Sequence, residues 1–266
     1  MARRWTIFEE HMHREELQQL YVKENKTISE ISRILGLVDA SVYDRLIRLG
    51  IRTNRAGKTK FNNQRSDVYF PEPTPSFAEF LGIMLGDGHV SHFQTMVTLG
   101  TKELQYARYV RKLMQNLFGG TPRIAKSARG DRTVYLGSTM VVKRLKEGGL
   151  VQNKVAAQVD VPTWIVEKPE YMKAFVRGFF DTDGSIYKLK FGVQISLTNR
   201  SAPLLASLQK MLKNLQYYPS AVSADRVYLT RRSDVERFFQ EIRPANLKHQ
   251  RRFAEVMRRW RSSKRT

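Results

Sequence analysis

The chain has 266 residues, of which 41% are hydrophobic and 27% charged, enough for a packed core in one larger domain plus a small one, or in two modest domains. Lys and Arg outnumber Asp and Glu by 46 to 25, for a formal charge of +21. So large an excess repels itself in the folded monomer and points to a polyanionic partner, nucleic acid first, with a generally basic ribosomal or membrane-surface protein as the bland alternative. The absence of cysteine excludes disulfide scaffolds and cysteine-ligated zinc. No stretch approaches the roughly 20 apolar residues that span a bilayer, and the N-terminus lacks the apolar run of a secretory signal, so an intracellular, soluble protein is expected.

Residues 14–50 read as three short helices. The first runs from Arg14 to Glu24 with Leu17, Leu20 and Tyr21 at helical spacing. Thr27 precedes Glu30 by three, a capping box that starts a second helix through Ile28, Ile31 and Ile34 and ends at Gly36. Asp39 is the expected cap of a third, with Val42, Leu46 and Leu49 inward, closed by Gly50. Helix, short Gly-containing turn, helix is the helix-turn-helix pattern, whose second helix commonly enters the major groove. Its outward side chains are expected to be Ser41, Tyr43, Asp44, Arg45 and Arg48, with Asp44 counting against DNA contact. The alternative is a small bundle with a solvated charged face. The basic, apolar-poor segment that follows (Arg52, Arg55, Lys58, Lys60, Arg65) reads as a linker along phosphates, and Pro71-Glu72-Pro73-Thr74-Pro75 as a boundary. The expected domains are 1–55 for the helical module, 56–75 for the linker, and two repeats, 76–165 and 166–266.

Phe80–Gly88 and Phe175–Gly184 are similar apolar segments ending in Asp-Gly, and the likeness continues downstream. Asp87 and Asp183 stand 96 residues apart, Lys112–Leu117 and Lys210–Leu215 98, Val134–Leu136 and Val227–Leu229 93, and Lys154 and Lys248 94. A tandem duplication follows, each half reading α-β-β-α-β-β-α, an α+β fold with pseudo-two-fold symmetry. Gly82 and Gly86, and Gly178 and Thr182, are small residues four apart on otherwise apolar helices. The two helices are therefore expected to pack on each other between the halves, which sets Asp87 and Asp183 side by side.

Two adjacent carboxylates repel, and one pKa should rise unless a divalent cation joins them. Hard oxygen ligands suit Mg²⁺, with Mn²⁺ or Ca²⁺ also accepted, and magnesium typically takes one or two carboxylates plus substrate phosphate oxygens. A basic protein with paired acids suits phosphodiester hydrolysis. An Asp-Gly after a helix is by itself only a turn; two in register argue for more.

These residues resemble the LAGLIDADG family of homing endonucleases in its monomeric two-repeat form, over about residues 76–260. The resemblance implies a saddle of two four-stranded sheets on duplex DNA, with Asp87 and Asp183 binding Mg²⁺ (Mn²⁺ substituting) at two scissile phosphates. The backbone of Gly86 and Thr182 is a further possible source of ligands. It also implies a basic residue in each half near the cleavage centre, a place that Lys154 and Lys248 fit. Thr101-Lys102 and Thr198-Asn199 match positions that order solvent, and Lys102, Asn199, Arg200, Arg231 and Arg232 are the expected DNA-contacting residues of the repeats. The earlier motif acid is present as Asp181 but is Leu85 in the first half, which questions symmetry more than catalysis. The alternatives are a DNA-binding regulator of the same fold that does not cut, and an intron RNA maturase.

Four other features stay open. His89 and His92 follow the first motif as auxiliary catalytic or groove residues. Trp164 is expected to anchor the connector between the repeats. Tyr135 and Tyr228 fit either core or groove, and the C-terminal Arg-rich run fits phosphate contact or a solvated helix face.

Overall fold

A computed structural model describes residues 6–51, 53, 65–190 and 192–262. The chain divides into two compact units, 1–62 and 63–266. Arg52, Arg55, Lys58 and Lys60 lie outside the described residues.

The first unit has three α-helices among its described residues. α1 (Ile7–Gln18) begins at a capping box of Thr6 and Glu9, earlier than expected, and widens into a π-helical turn, Gln19–Lys23. α2 (Ile28–Leu35) starts where Glu30 N–H donates to Thr27 Oγ1 (3.3 Å) and Thr27 N–H donates to the Glu30 carboxylate (2.7 Å), the reciprocal bonds of a capping box. It stops at Gly36, whose φ of 62° is left-handed and free of strain only in glycine. α3 (Asp39–Arg48) is capped at Val38, and Asp39 instead accepts a hydrogen bond from Ser29 Oγ (2.5 Å). Leu17, Tyr21, Ile31, Val42, Leu46 and Ile51 form a core that buries the helices' inner stripes.

Two expectations fail here. Ile34 is exposed, and Leu35 packs on the core in its place. Arg45, expected to face outward, is only 6% exposed. It stands three residues after Val42 and one before Leu46, so the rotation of α3 that buries those two carries Arg45 inward as well.

In the second unit, Thr74 caps and Pro75 opens α4 (Pro75–Leu85), followed by β1 (Gly88–Val90), β2 (Gln94–Leu99), α5 (Leu104–Phe118), β3 (Arg123–Lys126), β4 (Arg132–Gly137) and α6 (Thr139–Glu147). A 3₁₀ turn at Thr163–Glu167 leads to the second half: α7 (Pro169–Asp183), β5 (Gly184–Leu189), β6 (Gly192–Thr198), α8 (Ala202–Asn214), β7 (Arg226–Leu229), α9 (Arg232–Glu241) and α10 (Leu247–Ser262). Trp164 stacks on Phe77 (5.8 Å between centroids) and meets Tyr171 edge-on, so it packs the connector onto the first half.

α4 and α7 form the spine. A methyl group at Gly82 would overlap the Phe175 carbonyl, and one at Gly178 would overlap that of Glu79, so the helices touch backbone to backbone. Phe80, Ile83, Met84, Phe175, Phe179 and Phe180 are fully buried around this contact. One ion pair crosses it, Glu79 with Arg177, and Glu79 also accepts a hydrogen bond from the Tyr109 hydroxyl (2.5 Å).

Each half contributes an antiparallel sheet. The first has strand order β1-β2-β4-β3. Val90, Val97, Leu99, Val134 and Leu136 face the core, while His89, Met96, Thr98, Thr133 and Tyr135 share the open face through the registers His89↔Met96, Met96↔Tyr135 and Thr98↔Thr133. The second sheet has order β5-β6-β7, three strands where four are expected. Before β7, Ser220 N–H donates to the Tyr228 carbonyl (2.9 Å), but Tyr228 N–H returns to the Ser220 hydroxyl (3.0 Å) rather than to its carbonyl. Pro219 brings no N–H to a ladder, so the fourth segment follows the edge without completing a strand. Tyr187, Gln194 and Tyr228 lie on this sheet's open face.

Candidate functional site

α4 and α7 end together, and the site is built from the residues beyond those ends. A methyl group on Gly86 would overlap the Thr182 hydroxyl and lie 3.4 Å from the Asp183 carboxyl carbon, so Asp87, the next residue, is a neighbour of Asp183. The Asp87 carboxylate accepts no hydrogen bond from any described residue. Burial and the nearby Glu103 raise its pKa against the pull of Lys248 and Lys154. Asp87 keeps solvent contact at its surface, so the crowded mouth of the site rather than full enclosure is responsible. Asp183 is half-buried, and burial followed by the charge of Asp87 pushes it up to about 6. Asn199 Nδ2 donates to its Oδ2 at 3.1 Å and works in the opposite direction.

The two lysines converge on the same carboxylates in different ways. Lys154 Nζ donates to the carbonyls of Met84 (2.9 Å), Leu85 (3.2 Å) and Gly86, capping the C-terminus of α4. Burial lowers its pKa, and Asp183 and Asp87 hold it up. Lys248 is exposed and pairs with Glu103 at 2.9 Å. Burial opposes ionisation of Glu103, but hydrogen bonds from Asn246 and Lys248 outweigh it and hold its pKa low. Asn246 Nδ2 reaches Glu103 (2.6 Å) and the Asp181 carbonyl (3.0 Å), joining the halves.

Asp181 is fully buried, and its carboxylate accepts from the backbone N–H groups of Ala245 (2.8 Å) and Asn246 (3.1 Å). Burial dominates those bonds and raises its pKa to about 7. It is thus a clamp on the segment leading into α10, while Leu85, at its place in the first half, can make no such clamp.

A family model for the LAGLIDADG-like domain matches residues 74–151 and again 170–243, more than half of the chain. The chain belongs to the LAGLIDADG family. The two matches run from α4 through α6 and from α7 through α9, so the motif helices of both LAGLIDADG repeats are the packed pair α4 and α7. A 113-residue stretch, 42% of this chain, is 31% identical to the replication factor C small subunit of Methanocaldococcus jannaschii, of whose length it spans 6%. The homing endonuclease I-DmoI in complex with DNA and Ca aligns with 63% of this chain and 88% of its own, at TM-score 0.47 and 17% identity. The N-terminal LAGLIDADG domain of DUF199/WhiA aligns with 68% of this chain and 94% of its own, at TM-score 0.48 and 15% identity.

Within the LAGLIDADG repeats, Asp87, Asp183, Lys154, Lys248 and Asn199 come together. Asn199 bonds Asp183 rather than standing out as a base-reading group. The Gly86 carbonyl, one of the two backbone groups offered as further ligands, accepts from Lys154 Nζ. Asp87 and Asp183 are neighbouring hard oxygen donors, the charge of Asp87 helps to raise the pKa of Asp183, and no described residue donates to the Asp87 carboxylate, so the pair fits a hard divalent cation sharing phosphate oxygens. Lys102 and Arg200 are exposed. Arg231 lies over the Tyr218 ring at 3.7 Å, and Arg232 pairs with Glu236 at 2.8 Å, both away from the aspartates at the start of α9. In the first unit Arg48 is exposed and Ser41 and Tyr43 half-buried. Glu103 and Asn246 were not expected at the site. Glu103 stands 16 residues after Asp87, as Asn199 does after Asp183, and that equal spacing is the signal for it. No helix among the described residues is long and apolar enough to cross a membrane.

Proposed function

We propose that this chain is a site-specific endonuclease of double-stranded DNA, acting as a monomer of two unlike halves. The observation that carries the reading is the neighbouring pair Asp87 and Asp183, kept from ionising easily and flanked by Lys154 and Lys248, in a protein of charge +21. A carboxylate pair in that state is a standing cost to the fold, which a binder of DNA has no use for. The aspartates are the ligands for Mg²⁺, or Mn²⁺ in its place, and such an ion when bound supplies charge neutralisation and water activation at a scissile phosphate. Asn199 fixes the Asp183 carboxylate, and Lys248 faces the phosphate. The open faces of the sheets, with His89, Thr98, Tyr135, Tyr187, Gln194 and Tyr228, read the grooves. Lys102, Arg200, Arg231 and Arg232 contact the backbone, and residues 1–55 extend the footprint through Ser41, Tyr43 and Arg48.

A second reading, a LAGLIDADG protein that binds DNA without cutting it, is favoured by one observation: Lys154 is engaged with α4 rather than open to substrate. A cleavage selection separates the two. Protein mixed with a large random duplex library in Mg²⁺ should yield breaks sharing one long sequence. These should vanish in the Asp87→Asn/Asp183→Asn variant while retention of the same DNA persists. Specific retention with no metal-dependent breaks in the wild type would select the binder.

A further inference from the structure

An ammonium has three N–H donors, and the two lysines at the site spend them differently. Lys154 directs all three at backbone carbonyls of the last turn of α4, those of Met84, Leu85 and Gly86. Among the described residues Lys248 meets one acceptor, the Glu103 carboxylate, and it opens onto a cleft of about 500 Å³ lined by Lys102, Glu103, Asn246 and Arg251. The cause lies in the motif itself. The carbonyl of Asp181 in α7 holds the place of the Leu85 carbonyl in α4, 96 residues earlier. It is covered by Asn246 Nδ2 (3.0 Å) and His249 Nε2 (3.4 Å), so no lysine is needed there. Asn246 is delivered by the Asp181 carboxylate, which grips the backbone of residues 245 and 246. Leu85 has no carboxylate with which to draw in the equivalent segment, and Lys154 neutralises the exposed carbonyl end of α4 instead.

We propose that the halves have divided their work. Lys154 is a structural cap of α4, Lys248 held by Glu103 is the cation that meets phosphate, and the DNA strand facing Lys248 is cut well before the other. This rests on the endonuclease reading. Each cut is a hydrolysis in which the oxygen of one water joins phosphorus, one P–O ester bond breaks, and the proton released passes to the departing alkoxide. Glu103 is a positioning residue that acts through Lys248.

Two experiments test the assignment. In the first, the whole protein without DNA is treated with limiting acetic anhydride and the modified lysines are read by peptide mass spectrometry. Lys248 should be acetylated at least tenfold faster than Lys154; equal rates, or the reverse order, would overturn the division. In the second, supercoiled plasmid carrying the site recovered by selection is digested in Mg²⁺. Nicked circle should accumulate before linear product appears. Lys248→Met should abolish the first nick, whereas Lys154→Met should slow it far less and instead lower the thermal midpoint by several degrees. Glu103→Gln should shift the pH profile of nicking, which a purely structural residue would leave in place. Linear product without a nicked stage, with both lysine variants equally impaired and equally stable, would overturn the proposal. A wild type that makes no metal-dependent break of either kind sinks the endonuclease reading instead, while the acetylation rates still decide the role of each lysine.

Discussion

At the scale of single residues, the site is held against the preference of its own carboxylates. Asp183 ionises near 6 in the folded chain against an ordinary value of 3.8, because protein displaces water from it and Asp87 stands beside it. The folded state therefore keeps a proton that the unfolded chain has released, and stability falls as pH rises from about 4 to about 6. Asp183→Asn removes the titration. Its advantage over the wild type in thermal denaturation should be near zero at pH 4. By pH 7 it should reach about 1–2 kcal/mol, allowing for the solvent that reaches a half-buried group. An advantage independent of pH would show that the carboxylate is not under this strain. Mg²⁺ should narrow the gap at pH 7 by stabilising the wild type alone, since a ligand bound only by the folded state adds to its stability.

At the scale of elements, the decisive packing is that of α4 on α7. Glycine at positions 82 and 178 permits an approach that a methyl group would block with backbone, which cannot move aside. Gly178→Ala should cost about 3 kcal/mol or more in chemical denaturation, the upper end of what overpacking does, and an alanine elsewhere on an exposed helix face should cost little. This packing and the pair of aspartates at its end were legible in the sequence because glycine spacing, apolar runs and a repeat all point the same way. The strand count of the second sheet was not legible. Whether the segment of Pro219 and Ser220 pairs by its carbonyl or its hydroxyl is decided by a single hydrogen bond. Arg45 was misplaced for a related reason: helical periodicity gives a stripe, and a residue on its flank is placed by packing. Glu103 and Asn246 were missed because their partners lie far off in sequence, Asn246 being 143 residues from the carboxylate it binds.

At the scale of the whole molecule, two units each carry their own apolar core, one around Leu17, Ile31 and Leu46 and the other around the α4–α7 spine. A fragment of residues 63–266 should therefore fold by itself, with a cooperative thermal transition, and should keep metal-dependent cutting at the selected site with weaker affinity. Loss of the transition would mean that the front unit completes the larger core. The charge of +21 predicts that affinity drops steeply with salt, by roughly one power of the salt concentration for each phosphate that the protein neutralises. The backbone approach of α4 and α7 at Gly82 and Gly178 has a consequence for inheritance. Because the closest approach of the halves is between main-chain atoms at two glycines, the side chains around it, apolar except for the Glu79–Arg177 pair, are the part of the union that must be matched. A half from another such chain that brings its glycine, the apolar shell and its member of the Glu79–Arg177 pair should dock here. New DNA specificities could then arise by recombining whole halves that share this small set of joining residues.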